Sequence, residues 1–164
     1  MTVRRALLTG SFDPVTSGHE DLLLRASRLF DEVYAVILAN TEKAGGAFSP
    51  TDRLALLEDT VSALPVDNVK ALLWGGLTSD IARQVGARYL VRGARNASDF
   101  DYEYSLSLIM KRFDPALETV ILPADPAKSM ISSTYVRDLL KYGCPLGDAV
   151  PGAVREKMAE LYRR

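Results

Sequence analysis

Three short segments of this sequence gather side chains suited to phosphate chemistry. The first is Thr9-Gly10-Ser11-Phe12-Asp13-Pro14-Val15-Thr16-Ser17-Gly18-His19. It lies between a short apolar run and an amphipathic stretch, so it reads as a strand, a turn and a helix start. Free backbone N–H groups at a helix start hold anions, and the helix dipole adds to that. Gly10 lets backbone approach a phosphate closely, and Gly18 leaves room beside the first helical turn. His19, the one histidine in the chain, falls in that turn. In isolation such a histidine reads as a cap or a surface group. Inside this pattern its ring is expected to face the bound anion. Asp13 and Pro14 read as turn-makers, with Asp13 capping its own turn.

The second segment runs from Arg92-Gly93-Ala94-Arg95 to Asp99-Phe100-Asp101-Tyr102-Glu103. Two arginines three apart after a strand can grip two phosphates from one turn. Asp99 reads as a first-turn acid, and Tyr102 and Tyr104 read as packing groups. Glu103 fits three tasks equally: pairing with an arginine, holding a ribose, or holding a metal. The third segment is Ile131-Ser132-Ser133-Thr134-Tyr135-Val136-Arg137. Its three hydroxyls suit a helix cap and, beside the other two segments, a second cradle for the β- and γ-phosphates. Lys43 follows the second strand; spacing alone gives it a solvated reading.

The elements that must position these groups are legible as periodicity. Ala6–Thr9, Val33–Ala39, Val69–Leu73, Tyr89–Val91 and Thr119–Leu122 are near-continuous apolar runs, as in a parallel sheet covered on both faces. Helix starts lie between them. Ser17 with Glu20 fits a capping box, and Leu22, Leu23, Ala26, Leu29 and Phe30 follow on one face. Ser49 precedes a first-turn Pro50. A helix over Leu77–Val85 stops at Gly86, and others span Ser98 to about Arg112 and Ser132 to about Tyr142. Pro151 starts a terminal helix ending near Tyr162. The alternation predicts an α/β fold, a doubly wound parallel five-stranded sheet with helices on both faces, forming a single domain over residues 1–164. Ligands in such sheets bind beyond the carboxyl ends of the strands, where the winding reverses. Ala44-Gly45-Gly46-Ala47 reads as a mobile loop.

Bulk properties narrow the function. The 164 residues carry a formal net charge of −1, which gives no broad basic field for nucleic acid. No apolar run reaches membrane-spanning length. Cys144 is the single cysteine, so an internal disulfide is impossible, and it reads as a small packing residue. A cytoplasmic protein is expected. No Gly-x-Gly-x-x-Gly follows the first strand, which argues against a dinucleotide dehydrogenase.

Gly10-Ser11-Phe12-Asp13-Pro14 with Thr16, Gly18 and His19 resembles the nucleotidyltransferase signature that ends in a glycine-histidine pair. With the Arg-Gly-x-Arg block and the late Ile-Ser-Ser-Thr segment in the same order, the chain resembles the bacterial phosphopantetheine adenylyltransferases over nearly its whole length. That resemblance implies a Rossmann-like nucleotidyltransferase fold and transfer of AMP from ATP to 4′-phosphopantetheine, giving dephospho-coenzyme A and pyrophosphate. It implies that Ser11, Lys43 and Arg92 contact the acceptor phosphate, with Thr78 at a variable position of the acceptor pocket. His19 would stabilise charge on the α-phosphate. Ser11, Phe12, Gly93, Ala94, Arg95 and Glu103 would hold ATP, joined by Lys128, Ser129, Met130 and Ile131. Ser132, Ser133 and Thr134 would bind its terminal phosphates. It also implies dependence on Mg²⁺ and a homohexamer of paired trimers. The sequence departs from the family pattern at Ser11 (commonly threonine), Met110 (asparagine), Lys128 (an aromatic) and Asp138 (glutamate). Transfer to another phosphate acceptor, such as nicotinamide mononucleotide, and a non-catalytic nucleotide-binding role are the competing expectations.

Overall fold

The computed structural model describes residues 2–39 and 46–163. Its strands are β1 (Arg5–Gly10), β2 (Glu32–Leu38), β3 (Val69–Trp74), β4 (Tyr89–Ala94) and β5 (Glu118–Pro123). Its α-helices are α1 (Ser17–Leu29), α2 (Pro50–Ala63), α3 (Thr78–Val85), α4 (Ala97–Phe113), α5 (Ser133–Lys141) and α6 (Arg155–Tyr162). The five strands form one sheet in the order β3-β2-β1-β4-β5. Every neighbouring pair is parallel. The α/β expectation is borne out, and each apolar run became a strand within a few residues of its expected ends.

The alternating pleat of β1 divides the core. Ala6 and Leu8 join Val33, Ala35, Ile37 and Val91 in a large cluster with residues from α1, α2, α5 and α6. Leu7 faces the other way, with Val36, Leu90, Ile81, Ala82 and Leu117. This second cluster is much smaller and leaves α4 thinly supported. Among the α4 residues only Glu103 is buried. Tyr102 and Tyr104, expected to pack, are 61% and 54% exposed. A helix that presents aromatic and aliphatic side chains on several faces reads as packing from sequence, but here the sheet beneath it has little apolar surface to offer.

Helix starts follow the expected chemistry at most ends. Ser49 Oγ accepts from Asp52 N at 3.1 Å, with Pro50 in the first turn. Gly86 closes α3 at φ +70°, a left-handed conformation that glycine adopts without strain. Two ends differ. Residues 152–154 form a short 3₁₀ turn, so the terminal α-helix starts at Arg155 and not at Pro151. The cap of α1 is Thr16, not Ser17. Thr16 Oγ1 accepts from His19 N at 3.3 Å, and Thr16 N donates to His19 Nδ1 at 3.0 Å. The reciprocal partner is thus a histidine, where Glu20 was expected. Ser17 is a buried first-turn residue whose hydroxyl has no partner among the described residues.

Candidate active site

The sheet itself opens the site. β1 pairs with β4 only as far as Leu8↔Val91. β4 stays paired with β5 through Arg92↔Ile121, Gly93↔Leu122 and Ala94↔Pro123. The chains of β1 and β4 therefore part at their carboxyl ends, where winding reverses, and a crevice forms there. Arg92, Gly93 and Ala94 are the last residues of β4, not members of the turn that follows. A cavity of about 340 Å³ fills this crevice.

Two helix N-termini converge on the cavity. Thr16, Gly18 and His19 of the α1 start line it, as do Ser132 and Ser133 of the α5 start. Each helix uses its cap hydroxyl on the third residue: Thr16 on His19 N, and Ser132 on Tyr135 N at 3.1 Å. The N–H groups of Ser17 and Gly18, and of Ser133 and Thr134, have no acceptor among the described residues. Two sets of free donors at positive dipole ends make a double anion cradle.

His19 sits between them with its protonation fixed by geometry. Its Nδ1 faces the Thr16 N–H, which requires a lone pair there and leaves the proton on Nε2. Its ring rests on that of Phe12, with centroids 4.7 Å apart. Burial, and then the positive charge of Arg92, push its pKa down to about 4 from an ordinary 6.5. The ring is therefore a neutral N–H donor at neutral pH. Folding favours the neutral form, so the stability this adds is in full force above pH 6.5 and drains as pH falls toward 4. As the chain has one histidine, its ring protons give a single resolved titration by NMR. Its midpoint in the free protein is expected near 4, rising when an anion binds beside it; a midpoint near 6.5 in the folded protein would contradict this arrangement.

The cationic residues are already engaged. Arg92 forks onto Glu103, Nε to Oε2 at 2.7 Å and Nη2 to Oε1 at 2.9 Å. Its Nη1 also donates to Thr9 O at 2.6 Å. Of the three tasks open to Glu103, the structure shows arginine pairing, with both carboxylate oxygens occupied. Arg95 bonds Asp99 at 2.9 Å and lines the cavity beside Lys128 and Ser11. Lys128 Nζ also donates to Ser17 O at 3.4 Å, across the α1 start.

Most of the expected residues meet here. Ser11, His19, Arg92, Gly93, Arg95, Glu103, Lys128, Ile131, Ser132 and Ser133 all line the one cavity. Gly93 is required by packing: a Cβ there would lie 2.6 Å from Leu22 Cδ1. Several expected residues stand elsewhere. The Phe12 ring is buried beneath His19, 1% exposed, because φ of +44° turns it inward. Ala94 ends the strand and gives its carbonyl to Ala124 N. Ser129 Oγ donates to Pro126 O, and Met130 is 85% exposed. Thr134 accepts from Arg137 and lies outside the cavity wall. Thr78 starts α3 and is also off this wall. Lys43 and the first half of the glycine-rich loop lie outside the described residues.

Other residues escaped the sequence reading. Asp13 does not cap its own turn; its carboxylate accepts from Ala47 N at 2.9 Å and Phe48 N at 3.0 Å, holding the approach to α2. Asp21, Leu22 and Asp125 line the cavity, and Arg53 and Arg137 brace the first turn from outside it. No local pattern marks Asp13, Arg53 and Arg137, because these partners are tens of positions away.

A parallel sheet split at β1 and β4, with two helix N-termini and an imidazole around one cavity, defines the nucleotidyltransferase class. Residues 7–139 match the family model described as Cytidylyltransferase-like. The phosphopantetheine adenylyltransferase of Streptococcus agalactiae serotype Ia is 44% identical over 96% of this chain and 98% of its own. That of Lacticaseibacillus casei is 41% identical over 100% of this chain and 95% of its own. The chain belongs to the phosphopantetheine adenylyltransferase family, as its three motifs implied. A bifunctional NMN adenylyltransferase/ADP ribose pyrophosphatase from Francisella tularensis shares the fold at TM-score 0.70. That match has 13% identity and spans 99% of this chain and 51% of the other.

Proposed function

We propose that this chain transfers the AMP half of ATP to 4′-phosphopantetheine, giving dephospho-coenzyme A and pyrophosphate. The observation that carries the reading is the facing pair of helix N-termini, α1 and α5, with the His19 Nε2–H between them. An oxygen of the acceptor phosphate attacks the α-phosphorus in line as the bond to the pyrophosphate oxygen breaks. The attacking group is already an anion, so no covalent enzyme nucleophile is needed. The protein's task is positioning and charge stabilisation.

In this reading His19 donates to an α-phosphate oxygen as charge builds there. The α5 start, with Ser132 to Thr134, holds the β- and γ-phosphates. The three hydroxyls are mostly occupied by protein partners, so the backbone N–H groups supply the cradle. Ser11, Arg92 and Lys43 hold the acceptor phosphate, and Thr78 borders the acceptor arm. Arg95 and Gly93 hold ATP, with Lys128 and Ile131 along the nucleotide. Mg²⁺ would offset triphosphate charge. The carboxylates fit it loosely, as a phosphate-borne ion requires. Glu103 spends both oxygens on Arg92, whereas Asp21 and Asp125 each keep one oxygen unbonded among the described residues. The test is pyrophosphate release with ATP, Mg²⁺ and phosphopantetheine. Release with nicotinamide mononucleotide and none with phosphopantetheine would overturn the reading.

The same reading carries a cytoplasmic enzyme assembled as a homohexamer. No helix among the described residues is long and apolar enough to cross a membrane. Self-association is supported by α4, where Leu108 and Ile109 are 53% and 47% exposed and Phe100 and Phe113 each 49%. Large apolar side chains left in water along one helix suit contact with further copies of the chain. Light scattering is expected to give about six times the 18.0 kDa chain mass. Leu108→Asp is expected to shift it to a smaller species; a monomeric wild type would end the assembly claim.

A further inference from the structure

The end of β1 and the turn that follows it are held by outside groups acting on their carbonyls. Thr9 O accepts from Arg92 Nη1 at 2.6 Å, Ser11 O from Arg53 Nη1 at 3.2 Å, and Asp13 O from Arg137 Nη1 at 2.7 Å. Pro14 O accepts from Ser133 Oγ at 2.8 Å. Each of these groups draws a carbonyl, the group that would repel phosphate, onto a partner within the protein. Three different elements supply the three guanidiniums: β4, α2 and α5.

Arg137 differs from the other two in what it connects. It sits on α5, one turn beyond Ser133, and its second nitrogen donates to Thr134 Oγ1 at 3.0 Å. One planar guanidinium therefore grips both the turn that leads into α1 and the first turn of α5. These are the walls of the two anion cradles. A fork with fixed angles sets a distance, which a flexible ammonium does not. We infer that Arg137 is a positioning residue that sets the spacing between the two cradles, so that one triphosphate spans both. This rests on the proposed reading that the α1 start takes the α-phosphate and the α5 start the β- and γ-phosphates. Arg137 itself lies off the cavity wall.

A spacing device has a distinctive signature. A ligand that fills one cradle gains nothing from correct spacing, whereas a ligand that bridges both gains the advantage of linkage. Calorimetry on the full-length protein with ATP, AMP and pyrophosphate separates the two cases without any acceptor present. For Arg137→Gln, ATP affinity is expected to fall about tenfold, with AMP and pyrophosphate within about twofold of wild type. Arg137→Lys reaches one acceptor but not both, and is expected to lose about threefold for ATP alone. Equal losses for all three ligands, or unchanged ATP affinity in the folded Lys variant, would overturn the inference. Should Arg137→Gln fail to fold, the Lys variant decides alone. Turnover by wild type is read separately: absence of transfer there would overturn the proposed function and leave the binding ratios to judge Arg137.

Discussion

His19→Ala is expected to lose roughly a hundredfold to a thousandfold in kcat, the usual effect of removing one donor aimed at transition-state charge. KM for ATP is expected to change little, because the free N–H groups at the α1 and α5 starts remain. The ring has a second task, accepting from Thr16 N at 3.0 Å, so the Ala variant also loses part of a helix cap, costing about 1 kcal/mol. His19→Gln separates the two tasks. Glutamine is a normal reciprocal partner in a capping box, so melting temperature is expected to recover while kcat stays nearer the Ala value than wild type. Steady-state kinetics and thermal melts of the two variants check this. Recovery of kcat along with stability would show the ring to be only a cap.

Arg92→Met is expected to be the most destabilising single change at the site. Glu103 is 7% exposed, and Arg92 meets both of its oxygens. Removing one member of a buried pair costs about 3–5 kcal/mol, since the other charge is left uncompensated. Arg92 is itself partly exposed, 24% by side chain, so the lower end of that range applies. For a chain of this length about 3 kcal/mol lowers the melting temperature by roughly 6–12 °C. The double variant Arg92→Met/Glu103→Leu removes both charges and is expected to regain much of that stability. It is not expected to regain turnover, because the guanidinium of Arg92 is then lost to the acceptor phosphate while Arg95 stays with ATP. Full activity in the stable double variant would confine the pair to a structural role.

These predictions divide along the line between local and distant partners. The order of strands and helices followed from periodicity, and Gly86 and Ser49 marked their helix ends through chemistry within a few residues. The cap of α1 was misplaced by one residue because Thr16 and Ser17 are both competent, and only the φ/ψ path of the turn selects between them. The inward turn of Phe12 has a similar origin. Its φ of +44° turns the ring into buried space beneath His19, which no neighbour in sequence encodes.

What the sequence determined by itself was the parallel α/β architecture, the two helix starts rich in hydroxyls and the histidine in the first turn of α1. Each of those rests on hydrogen bonds or apolar spacing within about a dozen residues, so the pattern survives in one dimension. Only the tertiary structure decided that Arg92 is committed to Glu103, that Asp13 anchors the approach to α2, and that Arg137 joins two helix starts 124 positions from its carbonyl partner. The reason is physical: a guanidinium or carboxylate is satisfied by whatever polar group the fold brings within 3 Å. That choice is made by packing, after the chain has closed on itself.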